Sequence, residues 1–503
     1  MKILFACYFE LPHYGGLGRY VDTLRSELEA HGHQVDVLSH HPGMQQIYKF
    51  SYVPDTFGWT LRGRQIDKST NSHDGRVTIK DVIDHQVWKY FEDNLPHVDP
   101  SIRWREIERY TFEIAAALHD VRGYDLIHTH DILSTRALWR VKPKNVPLVA
   151  TIHGILATEY VNAGEITTRD SLRWQYAVAE EYYGHLSSDA TIVPTNWQKT
   201  QLSKYYQVPS EKINVIPYGM NLYPFLQQLE YDPYPPLTET KPSDDKTIIV
   251  CPARLVPEKD HQTLIEALAQ IHDTRDDFEC WLIGDGHLRY ELELQAKRLG
   301  VRDRIVFFGA RWDVPAFLRL SDIVVLPSIQ DMHPYTLMEA QVAGKPCVAS
   351  NAGGIPEVVR DRQTGLIFEM GNSRQLANHL MELMDDPRLA YTLGQNAKKW
   401  ATVQYASATL FERTMKIYEQ VLAGKLSSQT FPIPEPNLTG EYGLVKSRQP
   451  DNDHSNANLF KFSLDHTKLD DIKDWRPVRK RTSVEYAIPD PAFIQVLASH
   501  KQA

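Results

Sequence analysis

Short apolar runs alternate with amphipathic segments along most of this 503-residue chain. In its first half the pattern predicts strands at residues 3–8, 34–39, 126–130, 148–153 and 190–194, a helix at 17–30 and a polar-aromatic helix before the last strand. In its second half it predicts strands at residues 247–252, 278–283, 305–308, 323–326 and 346–350, with helices at 261–271 and 288–299. This alternation is typical of parallel sheets covered by helices on both faces. The chain is therefore predicted to be α/β, with two Rossmann-like domains.

Prolines mark the division between the two series. Residues 223–245 contain Pro224, Pro233, Pro235, Pro236 and Pro242. Because proline interrupts regular elements, this segment is predicted to be a linker. The expected domains are residues 1–222 and 246–405, and the cleft between them is the default ligand site.

Two further segments lie outside the regular alternation. Residues 42–112 are predicted to be an insertion in the first domain, which either carries specificity or only packs through its aromatic residues. Those residues are Trp59, Trp88, Tyr90, Phe91 and Trp104. A helix is expected from about 406 to 422, within a segment that ends at 426, and residues 427–503 are expected to be a polar tail that contains prolines.

Composition narrows the function classes. The net charge of -9 argues against a general nucleic-acid binder, which would present a basic surface. Cys7, Cys251, Cys280 and Cys347 are scattered among apolar runs, so they are interpreted as buried free thiols of a reducing compartment. The amino terminus is too short for a signal peptide, and no run of 18 apolar residues predicts a membrane span. A cytoplasmic location is expected.

The segment from 323 to 359 carries the most specific chemistry. An apolar strand leads into a loop that contains Asp331, and a helix follows from about Pro334 with Glu339 inside it. A helix N-terminus binds phosphate well because its first amides are unpaired and carry partial positive charge. Acids on either side of that N-terminus could bind hydroxyls at the two ends of a sugar nucleotide. The alternative is a capped helix with two solvated acids.

Three other features lie where strands are predicted to end. Gly15 and Gly16 form a strand–helix turn in which the backbone can approach a phosphate closely, although such turns can be purely structural. Arg254 and Lys259 follow a strand, and this pairing suits a diphosphate; the alternative is a solvated loop. His153 ends a strand and precedes a glycine, which makes it a better candidate than an isolated histidine. No metal site is predicted.

Together these motifs resemble the retaining glycosyltransferases of the GT-B fold, family four, which include enzymes similar to sucrose-phosphate synthase. The resemblance covers about residues 1–422. It rests on motifs in family order, namely Gly15-Gly16, Thr-Ile-His-Gly at 151–154, Val-Ile-Pro-Tyr-Gly-Met-Asn at 215–221, Arg254 with Lys259, Gly284-Asp285-Gly286, Asp331 with Glu339, and Gly353-Gly354-Ile-Pro-Glu-Val-Val. It implies a cleft enzyme that moves a sugar from a nucleoside diphosphate sugar to an acceptor hydroxyl and keeps the anomeric configuration.

The resemblance also implies a role for each candidate residue. The diphosphate would be bound by Gly15, Gly16, Arg254, Lys259 and the helix start at Tyr335, Thr336 and Leu337. Glu339 would bind the ribose, Asp331 the donor sugar, and His153 the sugar from the opposite domain. His153, Arg254, Lys259 and Asp331 would be the catalytic set, with no metal and no cofactor besides the donor substrate. The helix at 406–422 would return to the first domain, with an apolar stripe of Phe411, Met415, Tyr418 and Val421.

One departure from the family leaves the transferred sugar open. The usual Glu-Pro-Phe-Gly is replaced by Asp331-Met332-His333-Pro334, which shortens the acid and removes a glycine next to the sugar. A proline at the first helical position is compatible with the helix and with phosphate binding at its N-terminus.

Several alternatives also remain open. A non-catalytic GT-B scaffold or coat protein is the alternative to an enzyme. Among enzymes, a GT-B epimerase or phosphorylase is disfavoured, because neither the acid set expected of an epimerase nor the pyridoxal-phosphate lysine context of a phosphorylase appears. The acceptor ranges from small metabolites to lipid-linked and polymeric glycans. The basic stretch of Arg476, Arg479, Lys480 and Arg481 could contact an anionic membrane or be solvated.

Overall fold

Two sheets organise the chain. The computed structural model describes residues 1–12, 15–40, 47–55, 58–62, 79–119, 121–231, 246–424, 460–463, 485–488 and 490–499. The first sheet has the strand order β4-β3-β2-β1-β5-β6-β7-β8 and the second has the order β11-β10-β9-β12-β13-β14. The second sheet is parallel throughout, whereas β3 and β4 add an antiparallel edge to an otherwise parallel first sheet. The prediction of two Rossmann-like domains is confirmed.

Up to residue 231, the described residues of the first domain form eight strands and eight helices. Its strands are β1 (Lys2–Glu10), β2 (Gln34–His40), β3 (Ile47–Asp55), β4 (Gly58–Arg62), β5 (Leu126–Thr129), β6 (Leu148–Thr151), β7 (Ala190–Val193) and β8 (Ile213–Val215). The helices that follow these strands or connect them are α1 (Gly16–Ala30), α2 (Ile79–Asn94), α3 (Pro100–Leu118), α4 (Ile132–Val141), α5 (Leu156–Asn162), α6 (Leu172–Leu186), α7 (Asn196–Tyr205) and α8 (Leu222–Leu229). The predicted insertion thus contributes an edge hairpin and the helices α2 and most of α3.

The second domain is built in the same way. Its strands are β9 (Thr247–Pro252), β10 (Phe278–Ile283), β11 (Ile305–Gly309), β12 (Ile323–Leu326), β13 (Cys347–Ser350) and β14 (Gly365–Phe368). Its helices are α9 (His261–His272), α10 (Arg289–Arg298), α11 (Val314–Leu320), α12 (Tyr335–Val342), α13 (Ile355–Val358), α14 (Ser373–Asp385), α15 (Pro387–Gln404) and α16 (Ser407–Leu422). The central strands are fully buried because helices cover both faces of the sheet. All four cysteines are buried free thiols, as predicted.

Helix α16 returns to the first domain, as expected. The ring of Phe411 stacks on His31 at the end of α1, with 4.0 Å between centroids. The hydroxyl of Tyr418 lies 2.6 Å from Nδ1 of His128 at the centre of the first sheet. Tyr418 is fully buried, so the predicted apolar stripe of α16 contacts the first domain. The two domains are therefore joined at the carboxyl-terminal side of the second one as well.

The expected linker is partly wrong. Prolines were expected to exclude regular structure from residue 223 onward, yet α8 (Leu222–Leu229) forms there and packs on α11 of the second domain. Pro224 lies in the first turn of α8, where a proline amide is not needed by the helix. Residues 232–245, the rest of the predicted linker, lie outside the described residues.

The end of the predicted polar tail is part of the first domain. Two short strands, β15 (Phe460–Ser463) and β16 (Glu485–Ile488), pair antiparallel, and a helix α17 (Pro491–Ser499) follows. Phe493 and Leu497 of α17 are buried among α2, α3 and α6. The basic stretch at 476–481 lies outside the described residues. None of the described helices is long and apolar enough to cross a membrane.

A buried carboxylate anchors this tail. Asp490 lies just before α17, and its Oδ2 accepts a hydrogen bond of 2.8 Å from Arg136. Arg140 and Arg109 approach the same carboxylate at 3.2 and 3.3 Å. Burial by itself raises the pKa of Asp490, but the three arginines outweigh it and hold the pKa well below the ordinary value. The tail therefore supplies a buried negative charge that pairs with Arg136 and is shared by Arg109 and Arg140.

Replacing Asp490 by Ala should destabilise the docked tail by about 3–5 kcal/mol at pH 7, because Arg136 loses its carboxylate partner, while Arg109 keeps Glu106 and Arg140 keeps Glu113. A depressed carboxyl pKa stabilises the fold above the unfolded value of about 3.9, and this contribution is lost as the pH falls below it. The deficit of the variant relative to the native chain should therefore shrink below about pH 4. Chemical denaturation of the full chain at pH 7 and pH 3.5, with proteolytic release of the tail as a second readout, measures this.

The matched control is Asp170→Ala, which removes one exposed carboxylate from the same domain. It should leave both readouts unchanged. An Asp490→Ala chain with native unfolding free energy and native proteolytic resistance would show that the arginines do not depend on the tail.

Candidate active site

The glycine turn lies against the second domain. Gly15 is the N-cap of α1 and Gly16 its first residue, and no side chain caps this helix. A Cβ on Gly16 would lie 3.4 Å from the ring of Tyr335, the first residue of α12. The N-termini of α1 and α12 therefore approach each other across the cleft, and both present helix amides there.

The two predicted cations follow strand β9, and each is paired with a carboxylate. Nη2 of Arg254 lies 2.9 Å from Oε1 of Glu258, and the Arg254 side chain is 71% exposed. Lys259 ends a 3-10 turn, and its Nζ lies 2.6 Å from Oδ2 of Asp331. The Lys259 side chain is only 18% exposed. The structure thus brings Lys259 and Asp331 together directly, beside the start of α12.

Glycines in the Gly284-Asp285-Gly286 motif hold the Arg254 loop in place. A Cβ on Gly284 would lie 2.0 Å from the carbonyl oxygen of Ala253, and one on Gly286 would lie 2.2 Å from that of Leu255. The Leu255 amide donates to the Asp285 carbonyl at 3.0 Å. Only residues without a side chain allow this close contact, so the motif supports the loop that carries Arg254.

Helix α12 starts one residue later than predicted. Pro334 is its N-cap, not its first helical residue, and no side chain caps the helix. The Leu337 amide donates to the Pro334 carbonyl at 3.1 Å, so the helix start leaves the amides of Tyr335 and Thr336 for a ligand. Thr336 Oγ1 donates to the Pro252 carbonyl at 2.9 Å, which fixes α12 to the end of β9.

The glycine pair at 353 and 354 holds the loop that contains Asp331. Gly353 has a φ of +56°, and a Cβ there would lie 2.1 Å from the Asp331 carbonyl oxygen. The Gly354 amide donates to that same oxygen at 2.9 Å. Glycine is required at 353 by both its backbone conformation and this contact. The carboxylate of Asp331 therefore projects from a loop that is fixed by main-chain contacts.

His153 lies in an aromatic cluster between the domains. Its Nδ1 is 2.7 Å from the hydroxyl of Tyr218, which stacks on Tyr335 of the second domain at 5.6 Å between centroids. Tyr20 packs edge-on against the His153 ring at 4.8 Å. Burial lowers the pKa of His153 to about 3, so the ring is neutral at physiological pH. Among the described residues, none hydrogen-bonds its buried Nε2, which leaves that nitrogen for one hydrogen bond to a ligand.

Glu339 has a partner that sequence reasoning missed. Arg19 of α1 reaches across the cleft and forms an ion pair with the Glu339 carboxylate. The Glu339 side chain is 8% exposed, whereas that of Arg19 is 43% exposed. The two residues are 320 positions apart, so no local pattern could have indicated the contact.

Glu159 of α5 is a second residue that sequence reasoning missed. A Cβ on Gly154 would lie 2.2 Å from its Oε1, so the carboxylate lies beside the turn that follows His153. Glu159 as a residue is exposed, but its carboxylate lies against the backbone of Gly154. Desolvation, together with the negative charges of Glu181 and Glu258, raises the pKa of Glu159 to about 7, and Arg254 opposes this shift. In the sequence, only Gly154 could have indicated this contact, because a glycine at a strand end often allows another group to approach the backbone closely.

Further contacts join the same two edges. The Glu357 carboxylate accepts hydrogen bonds from the amides of Asn196 and Trp197 at 2.8 and 2.7 Å, and so caps α7 across the cleft. Asn162 of α5 donates to Gln330 in the loop before Asp331. The predicted site residues therefore converge at the facing carboxyl edges of the two sheets. Within the described part of the chain, no three His, Cys, Asp or Glu side chains are placed to hold a metal ion.

Comparison with known proteins points to one family. The family described as "Glycosyltransferase Family 4" matches residues 14–223, and that described as "Glycosyl transferases group 1" matches residues 238–400. An uncharacterized glycosyltransferase of Methanocaldococcus jannaschii is 25% identical over 424 residues, which is 83% of this chain and 98% of that protein. All the glycine motifs and charged residues described above for the cleft lie in these matched segments.

Solved structures share the fold. Sucrose-phosphate synthase from Thermosynechococcus elongatus superposes with a TM-score of 0.62 at 21% identity, covering 84% of this chain and all of that one. HepE of Anabaena, in complex with UDP and glucose, superposes with a TM-score of 0.57 at 20% identity, covering 83% and 99% of the two chains. At these identities the similarity establishes the two-domain arrangement.

Glu159→Gln should stabilise the protein in a pH-dependent way. A carboxyl group with a raised folded pKa costs stability progressively between its unfolded pKa of about 4.3 and its folded pKa of about 7, and the cost is constant above that. The gain in Tm of the variant over the native chain should therefore be near zero at pH 4.5, larger at pH 6 and largest at pH 8. Glu165→Gln, which removes one exposed carboxylate just after α5, should show no such trend. Equal gains at all three pH values would place Glu159 in ordinary solvent.

Proposed function

Because this chain is a GT-B glycosyltransferase of the glycosyl transferases group 1, we propose that it transfers a sugar from a nucleoside diphosphate sugar to an acceptor hydroxyl with retention, and without a metal ion. Retention is proposed on the family resemblance of the ordered motifs. The acceptor side is assigned to the first domain, around His153 and the start of α5. The assignment leaves the donor base, the sugar and the acceptor to experiment.

The observation that supports this proposal most directly is the position of Lys259. Its ammonium group lies 2.6 Å from the Asp331 carboxylate, immediately before the free amides of α12. A cation, a helix N-terminus and a glycine turn thus surround one place in the cleft. This combination suits the leaving diphosphate of a sugar nucleotide.

The chemistry follows from where charge develops. As the bond between the anomeric carbon and the diphosphate breaks, negative charge grows on the phosphate oxygens. Lys259, Arg254 and the helix amides would stabilise that charge more in the transition state than in the ground state. The neutral ring of His153 would donate or accept one hydrogen bond at Nε2, opposite the diphosphate. Asp331 would bind hydroxyls of the donor sugar once Lys259 turns to the phosphate.

Release of nucleoside diphosphate from sugar nucleotides tests this function. Purified protein is incubated with UDP-, GDP- and ADP-sugars, first without acceptor, and binding is followed by thermal shift because ligands raise the apparent stability. UDP-glucose is tested first, since HepE was solved with UDP and glucose. Turnover of none of the donors, together with no stabilisation by any nucleotide, would refute the proposal. The anomer formed, determined by NMR, tests retention separately.

Arg254→Ala and Lys259→Ala should each reduce turnover of the preferred donor by about 10²-fold. The physical reason is the loss of about 2–4 kcal/mol of preorganised charge stabilisation at the leaving group. Both variants should fold: Arg254→Ala with a native Tm because Arg254 is 71% exposed, and Lys259→Ala with a somewhat lower Tm because Asp331 loses its partner. Arg298→Ala, at the exposed end of α10, is the matched control and should retain full turnover. Near-normal turnover of both cleft variants would place the diphosphate elsewhere.

Replacing Glu339 and replacing Asp331 should affect different ligands. Glu339→Ala is expected to weaken both the nucleoside diphosphate and the sugar nucleotide, because it removes the proposed ribose partner at a cost of about 1.5–3 kcal/mol. Asp331→Ala should impair sugar transfer while leaving nucleoside diphosphate affinity unchanged or higher, because it frees Lys259 from its ion pair. Calorimetry on both variants measures this difference. Equal losses of nucleoside diphosphate affinity would show that the sugar lies on the other side of α12.

A further inference from the structure

Arg19 occupies an unusual position in the cleft. It lies in the first turn of α1, where its amide donates to the Gly15 carbonyl at 3.1 Å. Its side chain leaves the first domain and forms an ion pair with Glu339 in α12. The guanidinium carbon also lies 5.9 Å from the ring centre of Tyr335. Arg19 thus spans the cleft at the place where the two helix N-termini meet.

This contact engages the carboxylate that is proposed to bind the donor ribose. A pair of vicinal hydroxyls is bound best when both carboxylate oxygens are available, yet Nη1 of Arg19 already donates to Oε1 of Glu339. A nucleotide that binds Glu339 through its ribose therefore competes with Arg19. The displaced guanidinium would stay near Gly15 and Gly16, because its backbone belongs to the same helical turn.

We propose that Arg19 is a donor-binding residue that exchanges partners: the ribose takes its place on Glu339, and Arg19 then binds the diphosphate. This deepens the proposed function and rests on it. The exchange keeps the guanidinium paired, because Arg19 leaves the Glu339 carboxylate for a diphosphate, which carries more negative charge. The planar guanidinium offers parallel donors that match phosphate oxygens. Without a donor, the same side chain holds the two domains together.

The exchange has a signature that a structural clamp lacks. A nucleoside has a ribose but no phosphate, so it must displace Arg19 without giving it a new partner. Replacing Arg19 by Gln should therefore raise nucleoside affinity severalfold while lowering nucleoside diphosphate affinity about tenfold or more, the usual loss for a charged hydrogen bond. A residue that only clamps the domains would move both affinities in the same direction.

The experiment compares the native chain with Arg19→Gln and Arg19→Lys. Calorimetry measures UDP, GDP and ADP, and competition against the tightest diphosphate measures uridine, guanosine and adenosine. Arg19→Lys keeps the positive charge but loses the parallel donors of the planar guanidinium. Its diphosphate affinity should therefore lie between those of the native chain and Arg19→Gln. The salt dependence of diphosphate binding should also be weaker in Arg19→Gln, because one cation no longer contacts the ligand. Tm and circular dichroism confirm that the variants fold.

The outcomes separate this proposal from the function on which it rests. If the native chain binds none of the diphosphates, the proposed function fails, and the exchange fails with it. Suppose the native chain binds a diphosphate. If Arg19→Gln then shifts the nucleoside and diphosphate affinities in the same direction, or changes neither affinity, the exchange is refuted while the function stands. Opposite shifts support the exchange.

Discussion

A cleft that binds a diphosphate must stabilise its cations when no anion is present, and this constraint organises the site. Three cations face the cleft, and each is paired with a carboxylate: Arg19 with Glu339, Arg254 with Glu258, and Lys259 with Asp331. Lys259, Asp331 and Glu339 are largely buried, so an unpaired charge on any of them would be costly, whereas Arg254 is 71% exposed and depends less on its partner. Two of the three carboxylates are also the proposed partners of the donor's hydroxyls. Donor binding would then exchange one set of charge-assisted hydrogen bonds for another, so that the cations and acids need not be desolvated anew.

The glycine motifs support the loops that carry the charged residues of the cleft. Gly284, Gly286, Gly353 and Gly354 all lie where a Cβ would overlap a carbonyl oxygen of the loops that carry Arg254 and Asp331. These contacts are main chain against main chain, so they fix loop positions without depending on flexible side chains. That is a physical reason for a motif to be diagnostic of an active site without touching the ligand. The glycine motifs on which the family resemblance partly rests therefore fix the loops that bear the charged residues.

The sequence pattern predicted most strands of both sheets, because a buried parallel strand is a short apolar run between helices. It also predicted α16, whose apolar stripe has helical spacing. It failed where structure depends on partners far away in the chain. Arg19 and Glu339 are 320 residues apart, and Asp490 and Arg136 are 354 apart, so periodicity contains no information about either contact. For α17, the spacing of Phe493, Val496 and Leu497 was a usable signal, but the polar composition of the surrounding tail obscured it.

The segment Asp331-Met332-His333-Pro334, which departs from the family pattern, takes part in the packing between the domains. Met332 and His333 are both buried. The ring of His333 packs edge-on against Tyr218 at 5.2 Å, and Tyr218 is the residue that contacts Nδ1 of His153. The loop that presents Asp331 and the histidine on the opposite domain are therefore connected through one tyrosine. If Asp331 binds the donor sugar as proposed, the shorter acid would hold that sugar closer to the loop, while His333 packs against the Tyr218 ring. The sugar preference of this chain should thus depend on the segment as a unit, and restoring the longer acid alone would leave the His333–Tyr218 contact, and the His153 position that it supports, unchanged.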